Sequence, residues 1–134
     1  MKIVIDSSIL IDYLRGGTKW QDFLRVSPRN AEFFLPTIVH FELFSGKSSK
    51  KSIVVKDILN LLKQFTHIEL TETIAIKAGE LCRDIGTHID PEDYIIAASA
   101  LELGATVLTL NKKHFEQIPY LALRIFAKDS GEGI

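Results

Sequence analysis

Residues 90–111 read DPEDYIIAASALELGATVLTLN, and the reading of this stretch decides the fold class. Asp90 stands at a cap position, Pro91 at a first helical position and Gly104 at a helix end, so the spacing predicts a helix between them. ATVLTL (105–110) then reads as a strand, reached across a single glycine. A helix that runs directly into an apolar strand is one unit of an α/β chain.

The same alternation extends upstream. KIVI (2–5) reads as a short buried strand, and SSILIDYLRGG (7–17) as a helix that opens on a serine cap and stops at Gly16 and Gly17. TKWQDFLRV (18–26) is a second helix capped by Thr18, with Trp20, Phe23 and Leu24 at helical spacing. AEFFLP (31–36) is a strand ended by Pro36. Thr37 is expected to cap the helix IVHFELFS (38–45), and Gly46 to end it in the left-handed conformation. KSIVVKDILNLLKQF (51–65) carries Ile58, Leu61, Leu62 and Phe65 as a core stripe. HIEL (67–70) is strand-like, TETIAIKAGELCRDIG (71–86) is helical up to Gly86, and LALRIF (121–126) is the last strand. The pattern predicts an α/β fold with a mainly parallel central sheet of about five strands and right-handed crossovers. One domain over residues 1–127 is expected, followed by a polar, glycine-rich tail at 128–134 that reads as mobile.

A chain of 134 residues with 46% hydrophobic and 25% charged residues has the composition of a single globular domain. It has no apolar run long enough to cross a bilayer and no secretion signal, so a cytoplasmic location is expected. The lone Cys82 excludes a disulfide framework and a cysteine-based zinc site, and reads as a packing residue. A net charge of −1 supplies no global positive field, so any contact with nucleic acid must be local. The candidate cations are Lys47, Lys50 and Lys51 in SGKSSKK, Lys112 and Lys113 in NKKHF, and Arg15.

Several oxygen-bearing residues stand where the fold does not require them. Asp6 follows the first strand at what becomes the carboxyl edge of the sheet. A helix cap is one reading of it, although two serines follow that would serve as well. In TIVHFELFSG, Ile38, Phe41, Glu42 and Ser45 share helical spacing, which sets Glu42 on or beside a core-facing surface where an uncompensated charge is costly. Asp93 lies in the first turn of the 91–103 helix and shares a face with Ile96, Ala97 and Ala100. Asp90 with Asp93 also matches a capping box. The small side chains of IIAASA let that helix approach its neighbours closely and leave Asp93 facing a cleft. Asn111 follows the strand 105–110, with Thr109 two residues before it. In an open parallel sheet, ligands bind beyond the carboxyl ends of the strands where the strand order reverses. Carboxylate and amide oxygens gathered there suit Mg²⁺ or Mn²⁺ better than zinc or copper.

The order VIDSSILIDYL, PTIVHFELFSG and DYIIAASALELGATVLTLNKKHF resembles PIN-domain ribonucleases, most closely the VapC-type toxins of toxin-antitoxin systems. The resemblance covers nearly the whole chain. It rests on the combination D-x-x-I-A-A-x-A-L-x-x-G, a strand, T-x-N and H-F. It implies a three-layer α/β/α PIN-like domain and Mg²⁺- or Mn²⁺-dependent cleavage of RNA. The family's acidic metal-binding positions fall on Asp6, Glu42 and Asp93, its fourth position falls on Asn111, and Thr109 matches the polar residue two before it. The neutral amide of Asn111 attracts a second cation less well than a carboxylate, and Asp90 is placed to add charge, although capping accounts for it more simply. The resemblance also implies a cognate antitoxin that occupies the cleft, and a homodimer.

Lys112, Lys113, Arg15 and Lys47 are the candidate phosphate guides. The alternative reading is a PIN fold that binds RNA or protein without cutting it. A haloacid-dehalogenase-type phosphatase needs an Asp two residues after the first, where this chain has Ser8, and no glycine-rich phosphate loop is present.

Overall fold

The computed structural model describes residues 1–125. Its five strands are β1 (Lys2–Ile5), β2 (Glu32–Pro36), β3 (Thr66–Ile68), β4 (Thr106–Thr109) and β5 (Ala122–Ile125). They form one sheet in the order β3-β2-β1-β4-β5, and every pairing is parallel. The helices are α1 (Ser7–Leu14), α2 (Lys19–Val26), α3 (Thr37–Phe44), α4 (Ser52–Leu62), α5 (Glu72–Ile85), α6 (Pro91–Leu103) and α7 (Lys112–Phe115). The chain steps from β1 through β2 to β3 on one side, then crosses back to β4 and β5 on the other. Helices flank the sheet, with α1 packed on α2 and α3, α5 on α6, and α3 also reaching α6. The order reverses between β1 and β4, so the carboxyl ends of these two strands frame the crevice. Among the described residues, no helix is long and apolar enough to cross a membrane.

A sheet covered on both faces needs strands without alternation. Ile3, Val4 and Ile5 are all fully buried, as are Leu35, Val107 and Leu108. Trp20 on α2 packs edge-on to Phe33 of β2 at 5.2 Å and tilts against Phe65 at 5.3 Å, which fixes α2 on the sheet margin. The predicted stripe of α4 holds, with Ile58, Leu61, Leu62 and Phe65 all buried. α6 is buried on nearly every side, with Tyr94, Ile96, Ala97, Ala98, Ser99 and Ala100 each 2% exposed or less. Gly104 closes it in the left-handed conformation (φ 66°).

Some local expectations differ from what is observed. α3 ends at Phe44, and Gly46 is extended at φ −71°, not left-handed. Ser49 Oγ donates to the carbonyls of Phe44 (2.8 Å) and Gly46 (2.7 Å), so a 3₁₀ turn at Lys47–Lys50 satisfies the helix end without a positive φ. Thr37 is the first helical residue of α3, with Pro36 before it at the cap, and Ser7 likewise begins α1 with Asp6 at the cap. Thr18 occupies the cap position of α2, but its hydroxyl donates to Asp22 instead of accepting a backbone N–H. β3 starts one residue earlier than read and ends at Ile68. The tail 128–134 lies outside the described residues.

Candidate functional site

Asp6 leaves β1 at the N-cap position of α1 (φ −78°, ψ 152°) and yet makes no cap bond. Its Oδ2 accepts Ser8 Oγ at 2.7 Å and Thr109 Oγ1 at 2.7 Å. Each hydroxyl also accepts from β4's continuation. Leu110 N–H donates to Ser8 Oγ (3.0 Å), and Asn111 N–H donates to Thr109 Oγ1 (2.8 Å). Asp6 N–H donates to Leu108 O (3.0 Å), extending the ladder. The two strand ends are thus laced together around one carboxylate that is only 2% exposed. Its other oxygen, Oδ1, is buried and has no hydrogen-bond partner. A buried charged oxygen left without a donor is costly unless a cation compensates it.

Glu42 reaches the same region from α3. The face expected to bury Phe41 and Ser45 does not do so, since Phe41 is 61% exposed while Val39 and Leu43 form the buried ridge. Contacts with α1 and α6 roll α3 onto Val39 and Leu43, so Glu42 sits beside the ridge and is half-buried. Its Oε1 is buried without a partner. Burial and then the negative charge of Asp6 push its carboxyl up to about 7, with Asp93 and Glu92 adding to the rise and the Ser7 hydroxyl opposing it.

Asp93, in the first turn of α6, is 7% exposed. Burial raises its pKa to about 6, a bond from His114 pulls it down, and the charges of Asp6 and Asp90 push it up. Asp6 thus acts on the ionisation of both Glu42 and Asp93, and Asp93 on that of Glu42, so three acids distant in sequence share one electrostatic locus. Asp90 makes no side-chain cap bond, so the capping box expected with Asp93 does not form. Its carboxylate lies instead near Asp93 and His114, the three offering donor atoms within 4.8 Å of one another.

Two participants were not singled out by sequence. Ser8 bridges Asp6 to Leu110, and His114 on α7 touches Asp93 Oδ2 through Nδ1. The amide Nδ2 of Asn111 lies 2.9 Å from the same nitrogen. Nδ1 offers either a hydrogen or a lone pair, so bonding to ionised Asp93 excludes it as an acceptor for the Asn111 amide. The sequence signals were spacing alone. Ser8 is two residues beyond Asp6, and His114 is three beyond Asn111, one helical turn after a strand.

The PIN domain family matches residues 3–120. Ribonuclease VapC1 of Methanocaldococcus jannaschii is 30% identical over 131 residues, covering 95% of this chain and 88% of that protein. Ribonuclease VapC19 of Mycobacterium tuberculosis is 32% identical over 122 residues, covering 88% of this chain and 95% of that protein. Among solved structures, a chain of VapBC2 from Rickettsia felis superposes with a TM-score of 0.82 at 24% identity, over 95% of this chain and 100% of that one. A chain of VapBC-1 from nontypeable Haemophilus influenzae gives 0.78 at 22% identity, over 93% and 98%. The structural likeness is one of fold, and the sequence relatives align nearly end to end. With the family match running from β1 to the turn before β5, the chain belongs to the PIN-domain family.

Proposed function

We propose that this chain is a divalent-metal-dependent endoribonuclease, the cytoplasmic toxin of a toxin-antitoxin pair, with Asp6, Glu42 and Asp93 as metal ligands and Asn111 as an orienting group. The observation that carries the reading is the pair of buried, unpartnered carboxylate oxygens, Asp6 Oδ1 and Glu42 Oε1, in a group of acids whose burial and mutual repulsion raise the pKa of Glu42 and Asp93. An all-carboxylate donor set fits Mg²⁺ or Mn²⁺. The relatives are named ribonucleases, and the structural neighbours include a toxin-antitoxin complex from Klebsiella pneumoniae, which supports RNA as substrate and an antitoxin as partner. A homodimer is part of the same proposal.

Ser8 and Thr109 hold one oxygen of Asp6 and so aim the other at the crevice. His114 does the same for Asp93, and its hydrogen favours the ionised carboxylate. When bound, a divalent ion supplies Lewis acidity toward the phosphodiester and lowers the pKa of the attacking water. The attacking group is water, and no side chain is consumed.

Cleavage of an RNA panel in Mg²⁺ or Mn²⁺, with and without chelator, tests the reading. The wild-type protein is expected to cut in a chelator-sensitive way, and Asp6→Asn to lose about 100-fold or more while keeping its fold. Full activity of Asp6→Asn overturns the assignment. RNA binding without any metal-dependent cleavage favours the non-catalytic PIN module instead.

A further inference from the structure

Two clefts flank the acidic locus, and Arg15 lines both. The first, about 700 Å³, runs over Ile11, Gly16 and Leu110, with Ser8 and Asn111 at its polar end. Those two residues join it to the laced strand ends around Asp6, Ser8 through its hydroxyl to Asp6 and Asn111 through its N–H to Thr109 Oγ1. The second, about 310 Å³, lies between α1, α3 and α4 and contains Glu42, Gly46 and Ser48. Arg15 is the one cation lining either cleft, and Lys47, Lys112 and Lys113 line neither. It makes no ion pair with any described carboxylate.

The backbone of Arg15 is held in place. Arg15 N–H donates to Ile11 O at 3.0 Å and Gly17 N–H to Asp12 O at 2.8 Å, while the Asp12 carboxylate accepts Lys19 N–H at 3.2 Å. A Cβ at Gly17 would lie 2.2 Å from that carboxylate, so a larger residue here would have to displace the Asp12 side chain from Lys19 N–H. Gly16, at φ +91°, has nothing within 4 Å of a built Cβ, which leaves the cleft floor open. Asp12 and Asn111 polarise its margins, while Ile11 and Leu110 supply flat apolar contact, and the volume suits a small ligand. Asp12, Glu42 and Asp57 line these clefts with Arg15 and repel a polyanion, so a strand entering here needs a local cation. A guanidinium forks two donors onto a phosphate, and this one stands unengaged at the junction.

We propose that Arg15 grips the RNA phosphate next to the scissile one, and that the cleft over Ile11, Gly16 and Leu110 seats the adjoining nucleotide of a single strand. The proposal rests on the nuclease reading for the position of the scissile bond. It makes Arg15 a substrate-positioning residue, chosen from four surface cations that the sequence left equivalent.

The test compares wild type, Arg15→Gln, Arg15→Lys and Lys113→Gln. Cleavage kinetics are read in Mg²⁺, and binding of a labelled single-stranded RNA is read in Ca²⁺ over a salt series. Arg15 is exposed, and equal melting temperatures check that each variant folds. Arg15→Gln is expected to raise KM and Kd about 10-fold, leave kcat within about 3-fold, and flatten the log Kd against log salt slope by about 0.7. Arg15→Lys is expected to fall between, and Lys113→Gln to stay within about 2-fold. A nucleoside 3′,5′-bisphosphate should compete at lower concentration than inorganic phosphate.

Unchanged KM and slope in Arg15→Gln, or an equal loss in Lys113→Gln, overturns the inference while wild-type cleavage keeps the nuclease reading. Equal potency of the two competitors overturns the nucleotide seat. Binding with an Arg15-dependent slope but no cleavage upholds this inference and removes the nuclease reading. Absence of any RNA binding overturns both.

Discussion

Asp6 ends an apolar strand because the chain there leaves the sheet for a crevice. Its backbone has the geometry of a cap, yet the carboxylate is turned to Ser8 and Thr109, which satisfies one oxygen and leaves the other bare. Glu42 shows the same tension in its ionisation. A carboxyl raised from 4.5 to about 7 in the folded state is charged at pH 8 only at a cost to stability. Glu42→Gln is therefore expected to raise the melting temperature of the metal-free protein at pH 8. The gain is on the order of 1 kcal/mol after solvent screening, or about 3 °C. Differential scanning fluorimetry reads it, and the same variant should lose RNA cleavage. A lowered melting temperature would mean that the Glu42 charge is compensated within the protein.

α6 shows how the packing of an element positions a residue at the crevice. Its capping and ending residues were legible because Pro91 and Gly104 have strong local preferences, and Gly104 indeed adopts φ 66°. Its alanines pack with no exposed surface, which brings Asp93 under the sheet's edge. Ala98→Leu is expected to cost about 1–3 kcal/mol by overpacking. In urea this should appear as a lower midpoint with an unchanged slope. An unshifted midpoint would show that the helix has room to move. α3 was less legible. Phe41, Phe44, Val39 and Leu43 are all apolar, so spacing alone does not say which ridge turns inward, and the packing of α1 and α6 chose Val39 and Leu43.

For the molecule entire, the single reversal in strand order assembles acids from β1, α3 and α6 at one crevice, and this couples stability to proton binding. The folded state keeps protons on Glu42 up to about pH 7 and on Asp93 up to about pH 6, whereas their ordinary values are 4.5 and 3.8. Between those limits the folded form binds more protons than the unfolded chain, so this contribution to stability falls as pH rises. A cation binding only the folded, ionised cluster reverses the loss. Saturating Mn²⁺ is expected to raise the melting temperature by several degrees at about pH 8 and by almost nothing near pH 4.5. Equal shifts at both pH values, or a full shift in Asp6→Asn, would place the metal elsewhere.

The five strands, the six longer helices, the parallel α/β class and the placing of Asp6 and Asn111 directly after strands were readable from the chain alone, because turn residues and hydrophobic period act over a few residues, whereas the short α7 was not read. Gly46 does not take the left-handed ending because the nearby Ser49 hydroxyl satisfies the end of α3, Asp90 stands at the cap of α6 without the side-chain bond, and Phe41 points outward because α1 and α6, distant along the chain, select the Val39 and Leu43 ridge. Only the folded molecule decided that Ser8 and Thr109 hold Asp6, that His114 meets Asp93, and that Arg15 stands between two clefts. Hydrogen bonds and charge repulsion act over a few ångströms, and residues separated by 103 positions come within that range only when β1 and β4 pair.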